Sequence, residues 1–156
     1  MELSQFTDYS LRALIYVGLR EGERCSVKEV AEAFDISRNH MVKIVHNLSK
    51  LGYLDTKQGR GGGICLNGAA GKINIGSVVR ELENMAVVEC IAPRTGNCCI
   101  YEVCELQGAL RRATDAFLRE LDGYTLSDLT DRRTALRRRL GIPKSCLLYT
   151  SDAADE

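Results

Sequence analysis

The chain has 156 residues, with 21 basic and 21 acidic side chains, so its formal net charge is +0 and overall charge selects no partner. Hydrophobic residues make up 45%, enough for a core. No run reaches the roughly 18 apolar residues of a membrane span, and the first residues lack a signal peptide's apolar stretch. The expectation is therefore a cytoplasmic protein with no membrane partner. The length suits one domain, or a small domain with an oligomerisation helix.

Ser4 or Thr7 can cap a first helix that runs to about Arg20. Leu11, Leu14, Ile15 and Gly18 recur at the spacing of one buried helical face, Phe6 and Tyr9 read as core aromatics, and Gly22 ends the helix. Ser26-Val27-Lys28-Glu29 is a capping box: the serine oxygen accepts an orphan N–H and the glutamate reaches back. A short helix follows, with Val27, Val30, Ala31 and Phe34 apolar, and Asp35-Ile36 turns the chain.

Ser37 caps a third helix, SRNHMVKIVHNLSKLG. Met41, Ile44, Val45, Leu48 and Leu51 form its inner stripe. At about 100° per residue, Asn39, Lys43, His46 and Lys50 lie opposite, flanked by His40 and Asn47. Two short helices joined by a tight turn, the second with a basic, amide-rich outer face, make a helix-turn-helix. Arg38, Asn39, His40 and Lys43 occupy its N-terminal end beside Ser37, where side chains reach base edges. Arginine suits guanine and asparagine suits adenine through paired hydrogen bonds.

Gly52 stops this helix. Tyr53 to Lys57 and Ile64 to Leu66 are strand-like, separated by Gln58-Gly59-Arg60-Gly61-Gly62-Gly63. Such a hairpin after a recognition helix is a wing, and its glycines permit positive φ and close approach to phosphates. It lacks the ending of a nucleotide-binding P-loop and opens no helix. Lys50, Lys57 and Arg60 are the expected phosphate contacts, which set affinity and its salt dependence. From Ser37 to Gly61 five cations face one acid, a net +4, whereas Val78 to Glu105 carries a net −3. The basic block is where a polyanion docks.

Ile73 to Asn84 reads as another short helix. After Cys104 the apolar series Leu106, Leu110, Ala113, Phe117, Leu118, Leu121 runs to Gly123 and predicts a long amphipathic helix. With a core already supplied upstream, that helix suggests dimerisation; the alternative is a helix folded back on its own domain. Thr125 caps a last turn. From Asp131 onward the chain is basic and poorly patterned, and about the last dozen residues resemble a non-native tail. The expected organisation is a DNA-binding domain over 1–84, a cysteine-rich loop over 85–105, a dimerisation helix and turn over 106–130, and a poorly structured tail over 131–156.

Seven cysteines in a chain of this kind point to metal or redox chemistry more than to disulfides. Cys25, Cys65 and Cys146 are scattered and read as small structural thiols. Cys90, Cys98, Cys99 and Cys104 are clustered. Zinc is one assignment, though paired C-x2-C knuckles are absent. A thiol switch is another. An iron–sulfur site is the third, since soft thiolates on a loop are what such clusters need. The adjacent Cys98 and Cys99 do not both suit one cluster. The two histidines, His40 and His46, lie on the third helix, away from the cysteines. That weakens a Cys/His metal site and leaves no acid–base constellation for an enzyme.

FTDYSLRALIYV, SRNHMVKIVHNLSKLGYL, GRGGGICL, IGSVVRELE and three spaced cysteines, in that order, resemble the Rrf2 family of winged-helix regulators, and within it the nitric-oxide-sensing repressors. The likeness runs from Met1 to about Asp128. It implies a mainly α fold: a winged helix-turn-helix with a small β-hairpin wing plus a long dimerisation helix. It implies a homodimer on an inverted-repeat operator of double-stranded DNA. It also implies a [4Fe–4S] cluster, with [2Fe–2S] as the alternative, held by Cys90, Cys98 and Cys104, with Cys99 as a substitute for Cys98. Asp8 matches the acidic residue that this subgroup donates across the dimer as fourth ligand. The seven-residue gap between Cys90 and Cys98 is longer than usual. Gln107 stands where the related iron–sulfur-biogenesis regulator has a histidine. The function implied is repression relieved when nitric oxide nitrosylates the cluster. The rivals are a regulator of the same family sensing iron–sulfur status or oxidants, and a small electron-transfer protein, which needs neither a basic helix nor a wing.

Overall fold

The structure, a computed structural model, describes residues 2–20, 22–88 and 98–143. Cys90, Cys146 and the terminal dozen residues lie outside the described residues. The described elements run α1 (Gln5–Gly18), α2 (Val27–Ala33), α3 (Arg38–Lys50), β1 (Leu54–Lys57), β2 (Gly63–Leu66), α4 (Ile75–Leu82), α5 (Glu105–Asp122), α6 (Leu126–Leu129) and α7 (Arg133–Arg139). Single 3-10 turns occupy Ala70–Lys72 and Tyr101–Val103. The class is mainly α with one antiparallel hairpin, as the spacing of apolar residues predicts.

The helix starts follow from their capping side chains. Ser4, rather than Thr7, caps α1, its hydroxyl accepting from the Thr7 N–H at 3.2 Å. The capping box of α2 is complete: the Glu29 N–H donates to Ser26 Oγ at 3.1 Å, and the Ser26 N–H donates to Glu29 Oε2 at 2.6 Å. Ser37 caps α3 through the His40 N–H. Between α2 and α3, Asp35 sits at φ 53, a left-handed position that a short polar side chain tolerates.

Leu14 and Val17 of α1, Val30 of α2, Met41, Ile44 and Leu48 of α3, Leu54 and Ile64 of the hairpin, Val78 of α4 and Leu126 of α6 share one core. Each such side chain contributes about 1.5–3 kcal/mol on burial, against the entropy of ordering it. The hairpin pairs Leu54 with Leu66 and Lys57 with Gly63. Cys25 extends it by a one-residue bridge, exchanging hydrogen bonds of 3.0 and 2.8 Å with Ile64. That bridge requires glycine at 63. Its φ is 135, and a Cβ there would lie 2.6 Å from the Cys25 carbonyl oxygen.

α4 begins two residues later than the apolar pattern suggests, because Asn74 caps it through the Ser77 N–H at 2.9 Å. The same side chain donates to the Asp122 carbonyl at 2.7 Å and so holds the end of α5. Arg80 binds the Asp122 carboxylate through both guanidinium nitrogens, at 2.5 and 2.7 Å. Leu118 is buried at this end of α5, and Leu121 packs against the core. At the other end Leu106 is 64% exposed and Val103 80% exposed. The helix therefore folds back on α4 with its C-terminal half and leaves apolar side chains uncovered at its start.

Two expectations fail. Leu51 does not complete the buried stripe of α3; it is the C-cap, where the chain already turns into Gly52 at φ 83, and its side chain is exposed. The segment from Asp131 is not poorly structured over 133–142. It forms α7, buries Ile142, and Arg137 donates to the Leu19 carbonyl at 3.3 Å.

Candidate nucleic-acid interface and cysteine site

The outer face of α3 is set by the burial of its opposite side. Met41, Ile44, Val45 and Leu48 are inside, so Asn39, Lys43, His46 and Lys50 are exposed and Asn47 is half-buried. Arg38 is exposed at the helix start, next to Ser37. The wing adds exposed Lys57 and Arg60, with Gly59 and Gly61 at φ 88 and 74 on either side of the arginine. Among the described residues, Arg12, Arg20, Arg24, Lys28 and Arg80 are paired with carboxylates, whereas Arg38, Lys43, Lys50, Lys57 and Arg60 enter no ion pair. A row of uncompensated cations beside exposed amides is what phosphate binding and base contact both need.

His40 departs from this pattern. Its ring is half-buried, 5.4 Å from the Tyr9 ring and 6.4 Å from Phe6. The histidine seats α1 on the head of α3. Phe6 and Tyr9 are correspondingly half-buried at the core edge. Sequence reasoning missed Val42, an apolar side chain 47% exposed at the edge of the outer face. It lies outside the apolar stripe, and its exposure becomes visible once the stripe is fixed.

Cys98 is exposed at the entrance to the 3-10 turn, where its carbonyl accepts from the Tyr101 N–H at 3.2 Å. That turn leads to Cys104, half-buried at the N-cap of α5. Cys104 holds the N-cap position of the 18-residue α5, and its side chain makes no capping hydrogen bond. Cys99 is exposed beside Cys98, and all three are free thiols. Two free thiolate donors bracketing one short turn fit an iron–sulfur centre by ligand chemistry. Cys90 lies outside the described residues. Among those described, no three His, Cys, Asp or Glu side chains gather into a metal-binding group, so Asp8 does not join Cys98 and Cys104 within a protomer. Asp8 stands in the first turn of α1 with its side chain 43% exposed, bound by Arg12 at 2.7 Å. The other described cysteines are structural: burial pushes the Cys25 thiol up to about 12, and half-buried Cys65 leans on Asp55 at 3.9 Å.

The end of α4 bonds both to the turn that follows α3 and to the N-cap of α1. Glu81 Oε2 accepts from the Tyr53 hydroxyl at 2.8 Å. Burial, and then this bond, raise the Tyr53 hydroxyl above its ordinary pKa. Glu83 Oε2 accepts from the Ser4 N–H at 2.8 Å and from the Ser4 hydroxyl at 2.9 Å. Partial desolvation pushes the Glu83 carboxyl up. Hydrogen bonds from Thr7, Ser4 and Asn84 outweigh it and leave the group below its ordinary value.

Comparison with known proteins agrees with this arrangement. The family model Rrf2, described as iron-dependent transcriptional regulator, matches residues 3–132. The HTH-type transcriptional regulator NsrR of Geobacillus kaustophilus (strain HTA426) is 48% identical over 142 residues, which are 90% of this chain and 97% of that protein. Among solved structures, T. potens IscR superposes with a TM-score of 0.68 at 22% identity, covering 86% of this chain and 90% of that one. Staphylococcus aureus CymR superposes with a TM-score of 0.63 at 28% identity, covering 81% and 95%.

Proposed function

The chain belongs to the Rrf2 family of transcriptional regulators, and from that premise we propose that it is a repressor that binds its operator as a homodimer, carries an iron–sulfur cluster on its cysteine segment and releases DNA in response to nitric oxide. The observation that carries the DNA-binding part is the uncompensated basic face of α3 and the wing. An electron-transfer protein has no use for that face. The sensing part is supported by the likeness to NsrR along 90% of the chain and by the free thiols at the head of α5.

In this reading Arg38, Asn39 and Lys43 reach base edges in the major groove, while Lys50, Lys57 and Arg60 hold phosphates and fix the register of α3. Cys90, Cys98 and Cys104 hold a [4Fe–4S] cluster, and Asp8 of the partner subunit supplies the fourth ligand. When bound, the cluster supplies iron that is open to attack by nitric oxide. A carboxylate is a harder and more exchangeable ligand than a thiolate, so the Asp8 position is where a small diatomic gains access. Arg12 holds the Asp8 carboxylate in one protomer, and in the assembled dimer it competes with ligation or orients the carboxylate for it. Bonds to the cluster from Cys90, Cys98 and Cys104 would constrain the cysteine segment, and their loss would remove that constraint. The spacing of the two recognition helices then no longer matches the half-sites.

Variants purified anaerobically, with iron and sulfide quantified, test the ligand assignment. Cys98→Ala and Cys104→Ala are expected to lose the cluster, and Cys99→Ala to keep it. Asp8→Ala is expected to alter the cluster's absorption spectrum; an unchanged spectrum removes Asp8 from the ligand set. A metal-free wild-type protein that still leaves DNA on peroxide treatment contradicts the cluster and establishes a thiol switch.

A further inference from the structure

The cysteine segment has to communicate with α1 and α3 through some physical contact, and the hydrogen bonds at the end of α4 are placed to provide it. Tyr53 is the last of the three residues between α3 and β1. Its N–H donates to the Leu48 carbonyl of α3 at 2.9 Å, and its hydroxyl donates to Glu81 at 2.8 Å. Ser4 is the N-cap of α1, and it gives both its N–H and its hydroxyl to Glu83, at 2.8 and 2.9 Å. One carboxylate thus grips the end of the recognition helix and the other grips the start of α1, from positions two residues apart on the chain. The core of α4, Ile75, Val78 and Val79, is buried, so the helix body moves with the domain as a rigid piece. Beyond Glu83, residues 84–88 form no helix or strand and run toward Cys90. A cleft of about 200 Å³, lined by Leu3, Glu83, Met85 and Val87 among others, opens beside the Ser4 contact. Beside this cleft the bonds from Ser4 to Glu83 join the end of α4 to the N-cap of α1.

We propose that Glu81 and Glu83 are positioning residues through which the cysteine segment sets the placement of α3 and of the first turn of α1. The proposal rests on the reading of the protein as a cluster-dependent repressor, and it names the parts that carry the signal. Glu83 is separated from Cys90 by six residues, and among the described residues its bonds to Ser4 and that of Glu81 to Tyr53 are the hydrogen bonds toward α1 and the end of α3 that lie nearest to that cysteine in the chain. Because the Thr7 hydroxyl lies 3.1 Å from the Ser4 hydroxyl, a shift of Ser4 also reaches the residue next to Asp8.

The test uses the full-length chain with Tyr53→Phe, Glu83→Ala and Glu83→Gln, the last keeping an acceptor toward Ser4. Iron and sulfide content, and operator affinity before and after nitric oxide, are measured for each. Tyr53→Phe and Glu83→Ala are expected to retain the cluster but to reduce the ratio of loaded to released affinity by about three- to tenfold. Glu83→Gln is expected to restore most of that ratio. An unchanged ratio in both of the first two variants overturns the proposal. If wild-type operator affinity ignores the cluster, the functional reading fails, and amide exchange of the metal-free chain decides the joint separately. Glu83→Ala should then speed exchange in the first turn of α1, and Tyr53→Phe in the last turn of α3. Acceleration confined to residues 81–83 in both variants overturns it.

Discussion

Glu29 shows what one side chain does for the helix-turn-helix. Hydrogen bonds from Ser26 hold its carboxyl below the ordinary value of 4.5, against the upward push of partial burial. A carboxyl depressed in the folded state adds stability that is fully present above the unfolded value and is lost as pH falls through the folded one. Thermal melts from about pH 6 to about pH 3 should therefore show Glu29→Gln costing stability at the upper end and little at the lower. Ser26→Ala should cost about 1 kcal/mol. On the DNA face, Asn39→Ala should cost about 1–3 kcal/mol and relax preference at one base pair, whereas Arg60→Ala should weaken all sequences alike and lower the salt slope by about one. Binding titrations at several salt concentrations separate the two. These residues were legible in the sequence because caps and outer-face cations follow from local spacing. His40 was not. Its packing on Tyr9 and Phe6 is a contact between helices, and periodicity within α3 says nothing of what α1 brings alongside.

At the scale of elements, α3 stands where the apolar pattern puts it, because it buries one clean face, and of the hairpin's strand residues Leu54 and Ile64 alone are buried. α4 starts later, since Asn74 acts as its cap only in company with the end of α5, 48 positions away at Asp122. α7 carries few apolar residues of its own and gains its place from Ile142 and from Arg137 on the α1 carboxyl end, again a long-range contact. The α4–α5 contact depends on Gly76, where a Cβ would overlap the Asp122 carboxylate held by Arg80. Gly76→Ala should destabilise the domain by about 1–3 kcal/mol through forced overlap. Denaturant unfolding reads this directly, and an unaltered midpoint would show that α5 shifts freely on α4.

For the whole molecule, the sequence suggested either a dimerisation helix or a helix folded back, and α5 combines features of both. Its end is fixed to α4, while Val103 and Leu106 at its start are uncovered. Leu106 opens the helix that the sequence suggests for dimerisation, so it is the residue at which to test that role. Leu106→Glu should weaken the dimer at least about tenfold by sedimentation, and operator affinity should fall with it. The ligand set was only partly legible. Spacing marked four cysteines but could not choose between the adjacent Cys98 and Cys99, which are both exposed. The proposed site, with Asp8 supplied by the partner subunit, would leave no continuous spacing to read. If cluster state governs DNA binding, operator affinity followed while nitric oxide is titrated anaerobically into the cluster-loaded dimer should fall, with DNA released in step with loss of the cluster's absorption. Full operator binding after the cluster has reacted would contradict it.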